Sequence, residues 1–154
     1  MQRIHVSSRD SARTPVQWSD APNAGFTDAA EPWFYVNQNY REVNVAAQEG
    51  DPDSILNFYR RALALRRNSD TLLFGDYREW FPRSPKLYMY ERSLAGERVL
   101  VVISFRHFDF RYQLPEGFPA EGCELLLSNY PEPQLGTLRP YEAQVWRWKQ
   151  CAGR

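Results

Sequence analysis

Apolar positions along the chain fall into three regimes. Over residues 1–50 they follow neither a 3.6-residue nor a two-residue period, and Pro15, Pro22 and Pro32 interrupt them among many Asn, Asp, Ser and Gly residues. So long an unpatterned segment in a compact domain is either functional or packed onto something else. Trp18, Phe26, Trp33, Phe34, Tyr35 and Tyr40 make it too aromatic for a disordered linker. The segment reads as an ordered loop whose partner surface lies outside this chain. A helix follows. Asp51 is the predicted N-cap, Pro52 the first helical position, and Asp53 adds negative charge to the first turn. Ile55, Phe58, Tyr59, Ala62, Leu63 and Leu65 then recur at three- and four-residue steps, Arg66 and Arg67 suit the C-terminal end, and Asn68 stops the run.

From about residue 70 the period becomes two. Leu87–Arg92 alternates, Leu94–Glu97 is turn-like, and Val99–Phe105 is a continuous apolar run. Together they predict a hairpin whose second strand is buried on both faces. Further strands are expected at Leu72–Phe74, Tyr77–Phe81, Phe110–Leu114, Glu124–Ser128 and Tyr141–Lys149, with Pro115, Pro119, Pro131, Pro133 and Pro140 between them. Short strands without intervening helices predict a mainly β fold, an antiparallel β-sandwich of about 80 residues. No internal repeat is present.

Composition narrows the function classes. The 154 residues carry 19 Lys+Arg against 19 Asp+Glu, so there is no electrostatic case for nucleic acid or an anionic membrane surface. No apolar run approaches the roughly 18–20 residues that span a bilayer, and the first ten residues lack the apolar core of a secretory signal. Cys123 and Cys151 make neither a disulfide framework nor a zinc site. A cytoplasmic protein without metal or cofactor is expected. His5 and His107 have no Ser, Cys or Asp at motif spacing. Cys123 reads as a small buried apolar residue, and Cys151 falls in a tail, 151–154, expected to be disordered.

The stretch Ser8 to Trp18, Ser-Arg-Asp-Ser-Ala-Arg-Thr-Pro-Val-Gln-Trp, is similar to the Arg-Asp-Asn-Ala-Arg-Thr-Pro-Met-Gln-Trp stretch of one branch of glycoside hydrolase family 13, the oligo-1,6-glucosidases and α-glucosidases. The similarity continues in order through Asn23–Phe26, Pro32-Trp33, Val36-Asn37, Asn39-Tyr40, Asn44-Val45, Asp51–Ser54 and Leu138–Ala143. Ser11 and Val16 depart from it where the family has Asn and Met. The resemblance implies the C-terminal part of a larger enzyme. Residues 1–69 would be the terminal loop and last helix of a (β/α)8 barrel, and 70–150 the sandwich, domain C, that follows it. The barrel itself would be the partner in cis and an α-glucoside the substrate.

Retaining cleavage of a glucoside needs a nucleophilic carboxylate and a carboxylic acid about 5–5.5 Å apart. The resemblance places the family's Asp, Glu and second Asp upstream of Met1, so the chain alone is expected to carry no catalytic residue. Asp10, Asp20, Asp28, Glu31 and Glu42 belong to no motif that would replace them. Arginine offers a rigid, permanently charged fork of donors suited to sugar hydroxyls or carboxylates. By the resemblance, Arg9 lines the subsite of the non-reducing glucose and Arg13 the leaving-group side; pairing with Asp10 or Asp20 is the structural alternative. Gln17 could bond substrate or loop backbone. Trp18, Trp33, Phe34 and Tyr35 suit packing first and pyranose stacking second. Trp146 and Trp148 share a strand face and would form a sugar patch only if exposed. A stand-alone carbohydrate-binding module and a purely structural sandwich therefore remain as alternatives. The wide apolar face of the helix over 54–68 predicts an exposed patch and self-association of the chain.

Overall fold

The computed structural model describes residues 13–150. The chain divides into two compact units, Met1–Tyr59 and Arg60–Arg154, and the division falls inside a helix.

In the first unit the expected loop is more regular than its sequence pattern implied. Short 3-10 turns at Pro22–Gly25 and Gln38–Arg41 precede a six-residue helix, α1 (Val45–Gly50), which the sequence reading did not anticipate. Six residues, fewer than two turns, contain too few positions to establish a 3.6-residue period. Hydrogen bonds hold it instead. The Asn44 side chain caps it by accepting from Ala47 N–H at 2.8 Å and donates to Tyr40 C=O at 2.8 Å. Val45 and Ala46 N–H donate to the carbonyls of Gln17 and Trp18 at 2.9 and 3.0 Å. The chain reverses at Asn23, Ala24 and Gly25, all at positive φ; a Cβ on Gly25 would lie 2.6 Å from Ser19 Oγ.

The predicted long helix is α2 (Ile55–Arg67), and its N-cap differs from the expectation. Asp51 and Pro52 lie in a turn closed by Ser54 N–H donating to Asp51 C=O. Ser54 Oγ accepts from Asn57 N–H at 3.2 Å and donates to Gln48 C=O at 2.7 Å, so the serine caps the helix. Asn57 Nδ2 also donates to Gln48 and Asp51 carbonyls at 2.9 and 2.7 Å. No residue of α2 is buried.

The second unit is antiparallel sheet. After α3 (Asp70–Phe74), the strands are β1 (Asp76–Trp80), β2 (Leu87–Leu94), β3 (Glu97–Ser104), β4 (Phe110–Arg111), β5 (Glu124–Ser128), β6 (Thr137–Leu138) and β7 (Ala143–Lys149). Five form one sheet in the order β1-β2-β3-β7-β5, and β4 pairs with β6 in a second layer. Leu87, Met89, Leu100, Val102 and Trp146 project from the main sheet, and Tyr112, Phe118 and Leu138 close over them. Burying each such side chain contributes about 1.5–3 kcal/mol. The antiparallel two-layer β fold is as expected, with the second layer reduced to two short strands.

Two expectations fail locally. Residues 72–74, expected as a strand, belong to α3, because Ser69 Oγ caps the turn by accepting from Leu72 N–H at 3.2 Å. Phe110–Leu114 shrinks to two paired residues. The doubly buried β3 is confirmed: Val99, Leu100, Val101 and Val102 are all buried. The face opposite the core, bearing Val99 and Val101, carries α3. Thr71 Oγ1 donates to Glu97 Oε1 at 2.7 Å, and Arg92 Nη2 donates to Leu73 C=O at 3.0 Å.

Candidate functional site

Arg9, His5 and Asp10 lie outside the described residues, as does Cys151. Arg13 is exposed at the start of the described chain, next but one to the buried Pro15. Gln17 donates its side-chain amide to Val43 C=O, while its own C=O accepts from Val45. The backbone role open at Gln17 is therefore occupied, and the residue ties the Arg13-bearing segment to the start of α1. Arg13, Gln17 and Trp18 are thus carried on one stretch clasped to a capped helix. Trp18, Trp33 and Tyr35 are exposed, Trp33 at 91%, and Phe34 is half-buried with its ring 4.5 Å from that of Trp33. Asp20, Asp28, Glu31 and Glu42 are exposed. No group of three His, Cys, Asp or Glu that could hold a metal occurs among the described residues.

Trp146 and Trp148 do not form a surface patch. Trp146 is buried in the core, with Nε1 donating to Gln144 Oε1 at 2.8 Å, and Trp148 packs beside that core half-buried. His107 is exposed and stands edge-on to Phe108. Cys123 Sγ donates to Pro119 C=O, and burial pushes its thiol pKa up.

The densest polar constellation is one to which sequence reasoning gave no role. Arg139 and Glu142, in the matched Leu138–Ala143 motif, form a forked pair: Nη2 to Oε1 at 3.0 Å and Nε to Oε2 at 3.2 Å, with Arg139 N–H donating to Oε2 at 2.7 Å. Gln144 Nε2 donates to Glu142 Oε1 at 3.0 Å and to Thr137 C=O at 3.0 Å. Burial works against the Glu142 charge, but the bonds from Arg139 and Gln144 outweigh it and hold the carboxyl below its usual range. Tyr112 OH donates to Gln144 Oε1 at 3.4 Å, and burial first of all pushes that phenol up to about 12. Arg139 also lies 4.4 Å over the Tyr130 ring. Every acceptor has a donor, so the network reads as a clasp holding β6, β7 and the second layer. The Arg-Pro-x-Glu spacing, a turn with opposite charges three apart, was its only sequence signal.

Residues 1–75 match the family model described as alpha amylase, catalytic domain. The match ends one residue before β1. The chain is 39% identical over 154 residues to an oligo-1,6-glucosidase of Bacillus cereus, an alignment covering 97% of this chain and 27% of that protein. Among solved structures, the trehalose-6-phosphate hydrolase of Bacillus licheniformis superposes with a TM-score of 0.86 at 35% identity, covering 97% of this chain and 28% of the other. The isomaltulose synthase of Klebsiella sp. LX3 gives 0.80 at 35% identity, covering 90% and 25%. This chain belongs to the α-amylase family, glycoside hydrolase family 13. Its similarity is to the oligo-1,6-glucosidase branch, and it spans about a quarter of the length of these relatives.

Proposed function

We propose that the chain is the closing portion of a retaining α-glucosidase acting on short α-glucosides of the isomaltose, sucrose or maltose type in the cytoplasm. In this reading residues 1–69 complete the catalytic barrel and 70–150 form the sheet domain behind it. The observation that carries the proposal is the catalytic-domain match over residues 1–75, stopping where the sheet begins. The relatives' names, oligo-1,6-glucosidase and trehalose-6-phosphate hydrolase, support an α-glucoside as the substrate class. Arg9 and Arg13 would donate to sugar hydroxyls from the loop, with Gln17 tying its own stretch of that loop to Val43. The nucleophilic Asp, the acid/base Glu and the second Asp would come from residues preceding Met1, so the chain alone hydrolyses nothing.

The test compares the 154-residue chain with a longer polypeptide that supplies those carboxylates, using p-nitrophenyl α-glucoside and isomaltose. No turnover by the chain and turnover by the longer protein is the expected result. In that longer protein, Arg9→Ala and Arg13→Ala should each lower kcat/KM by about tenfold or more, since a charged hydrogen bond to substrate contributes about 1.5–3 kcal/mol. Hydrolysis by the chain alone would overturn the reading.

A further inference from the structure

Three consecutive residues of the first unit stand in the left-handed region: Asn23 (φ 54°, ψ 30°), Ala24 (φ 58°, ψ 24°) and Gly25 (φ 63°). Phe26 N–H donates to Asn23 C=O at 3.0 Å, so Ala24 and Gly25 are the two central residues of a tight turn. A turn with positive φ at both centres favours Asn or Gly there. Gly25 meets that demand. Ala24 does not, since in this conformation its Cβ crowds the following carbonyl. It is nonetheless fully buried, and no larger side chain could replace its methyl without displacing neighbours. Asn23 holds the turn from outside, its Nδ2 donating to Ala29 C=O at 2.8 Å and to Thr27 C=O at 3.5 Å.

Strain of this kind persists only where the surroundings over-determine it, and it gathers at functional sites. Here its product is the direction of one carbonyl. Ala24 C=O accepts from Trp18 N–H at 2.9 Å and from Ser19 N–H at 3.2 Å. The Gln17 and Trp18 carbonyls accept in turn from Val45 and Ala46 N–H. Residues 17–19 are thus pinned by two amides to the turn and by two carbonyls to α1. Moving Ala24 out of the left-handed region rotates its carbonyl away and leaves the two amides without their acceptor.

We propose that Asn23, Ala24 and Gly25 are positioning residues for sugar recognition: their strained turn sets the place of the stretch that carries Arg13, and with it the leaving-group side of the pocket. They act through the backbone of residues 17–19, not through contact with sugar. The inference rests on the α-glucosidase reading, in which Arg13 serves that side and Arg9 the non-reducing glucose. Gln17, the first pinned residue, is four positions after Arg13 and eight after Arg9, so a loosened turn displaces Arg13 more. The consequence is selective. The second glucose of isomaltose offers hydroxyls to a guanidinium on the leaving-group side, whereas p-nitrophenolate has no hydroxyl to offer.

The longer polypeptide that supplies the catalytic carboxylates is assayed on isomaltose and p-nitrophenyl α-glucoside, with Tm and amide exchange at Trp18 and Ser19 followed in each variant. Asn23→Asp keeps the size and left-handed tolerance of the residue and removes both donors. It should lower kcat/KM for isomaltose by about tenfold, mostly through KM, leave p-nitrophenyl α-glucoside within about twofold, and speed exchange at both amides. Ala24→Val puts a β-branched residue at a left-handed position and should have the same selective effect, more severely. Ala24→Gly accepts positive φ and should keep the parent's ratio between the substrates. A purely structural turn would instead lower the Tm and both activities together. That result would overturn the inference and leave the α-glucosidase reading intact. So would an unchanged ratio in Asn23→Asp and Ala24→Val, or in Asn23→Asp alone where Ala24→Val does not fold. A parent inactive on both substrates would overturn that reading and this inference with it.

Discussion

Glu142 is 1% exposed and still charged, because each of its oxygens is met by a donor from Arg139 and one also by Gln144. Removing Arg139 strips donors from a carboxylate that is itself buried, although the guanidinium is about a third exposed. Arg139→Ala should therefore lower stability in urea unfolding by more than Arg147→Ala in the surface pair Arg147–Glu124, which should cost at most about 1 kcal/mol. The same residue sets a pH dependence. Its folded pKa is depressed, so its stabilisation is fully present above the ordinary carboxylate range and is lost as pH falls through the folded value. Glu97 is depressed as well: burial opposes its charge, but Lys149 at 2.9 Å and Thr71 outweigh it. Thermal melts should therefore be flat near neutrality and fall steeply in acid. Glu142→Gln should lower the neutral Tm and flatten the acid limb. An acid limb identical in Glu142→Gln and the parent would contradict this assignment.

At the scale of elements, α3 shows how a five-residue helix is held. A Cβ built on Gly75 would lie 2.5 Å from Thr71 C=O and 2.9 Å from Ser93 C=O, both rigid backbone. Gly75→Ala should therefore cost about 1–3 kcal/mol by overpacking, whereas Gly50→Ala, with nothing within 4 Å, should be near neutral. Equal effects in chemical denaturation would show that α3 does not sit tightly on β2. The same element marks what the sequence could convey. The strands were legible because eight-residue β2 and β3 are long enough to display alternation and a doubly buried run. Glu124–Ser128 was legible because turn residues bound it. The helix α2 was legible from six apolar positions at helical spacing. By contrast, α1 and α3 depend on single caps, Asn44 and Ser69, and β6 on pairing with β4. Such contacts are specified by residues distant in sequence or by one side chain, and periodicity is blind to both. For the candidate site, the Ser8–Trp18 motif was legible as a motif, but Gln17's bond to Val43 spans 26 positions. The Arg139–Glu142–Gln144 clasp likewise needed the turn geometry before its bonds could be seen.

At the scale of the whole molecule, α2 poses an imbalance. Its apolar stripe should lie against other protein, yet Ile55 is 83% exposed and Leu63 is 51% exposed, with Tyr59 between them also in solvent. An amphipathic helix draws most of its stability from burying that face. Monomeric proteins rarely leave contiguous apolar surface beyond a few hundred Å² uncovered. If the chain is the end of a barrel, the preceding part of that barrel covers the stripe. Without it, copies of the chain have an incentive to cover it for one another. Sedimentation velocity of the isolated 154-residue chain should then show concentration-dependent association that strengthens with added sulfate, since excluded salts favour apolar burial. Leu63→Glu should suppress association without lowering the Tm, because that side chain is already half in water. A longer polypeptide that supplies the barrel should be monomeric with Leu63 in place and destabilised by the same change. The substitution thus reverses its effect according to whether the stripe is bare or covered. A chain that stays monomeric at all concentrations, with Leu63→Glu indistinguishable from the parent in both contexts, would show that α2 faces water by design and that the barrel assignment is wrong.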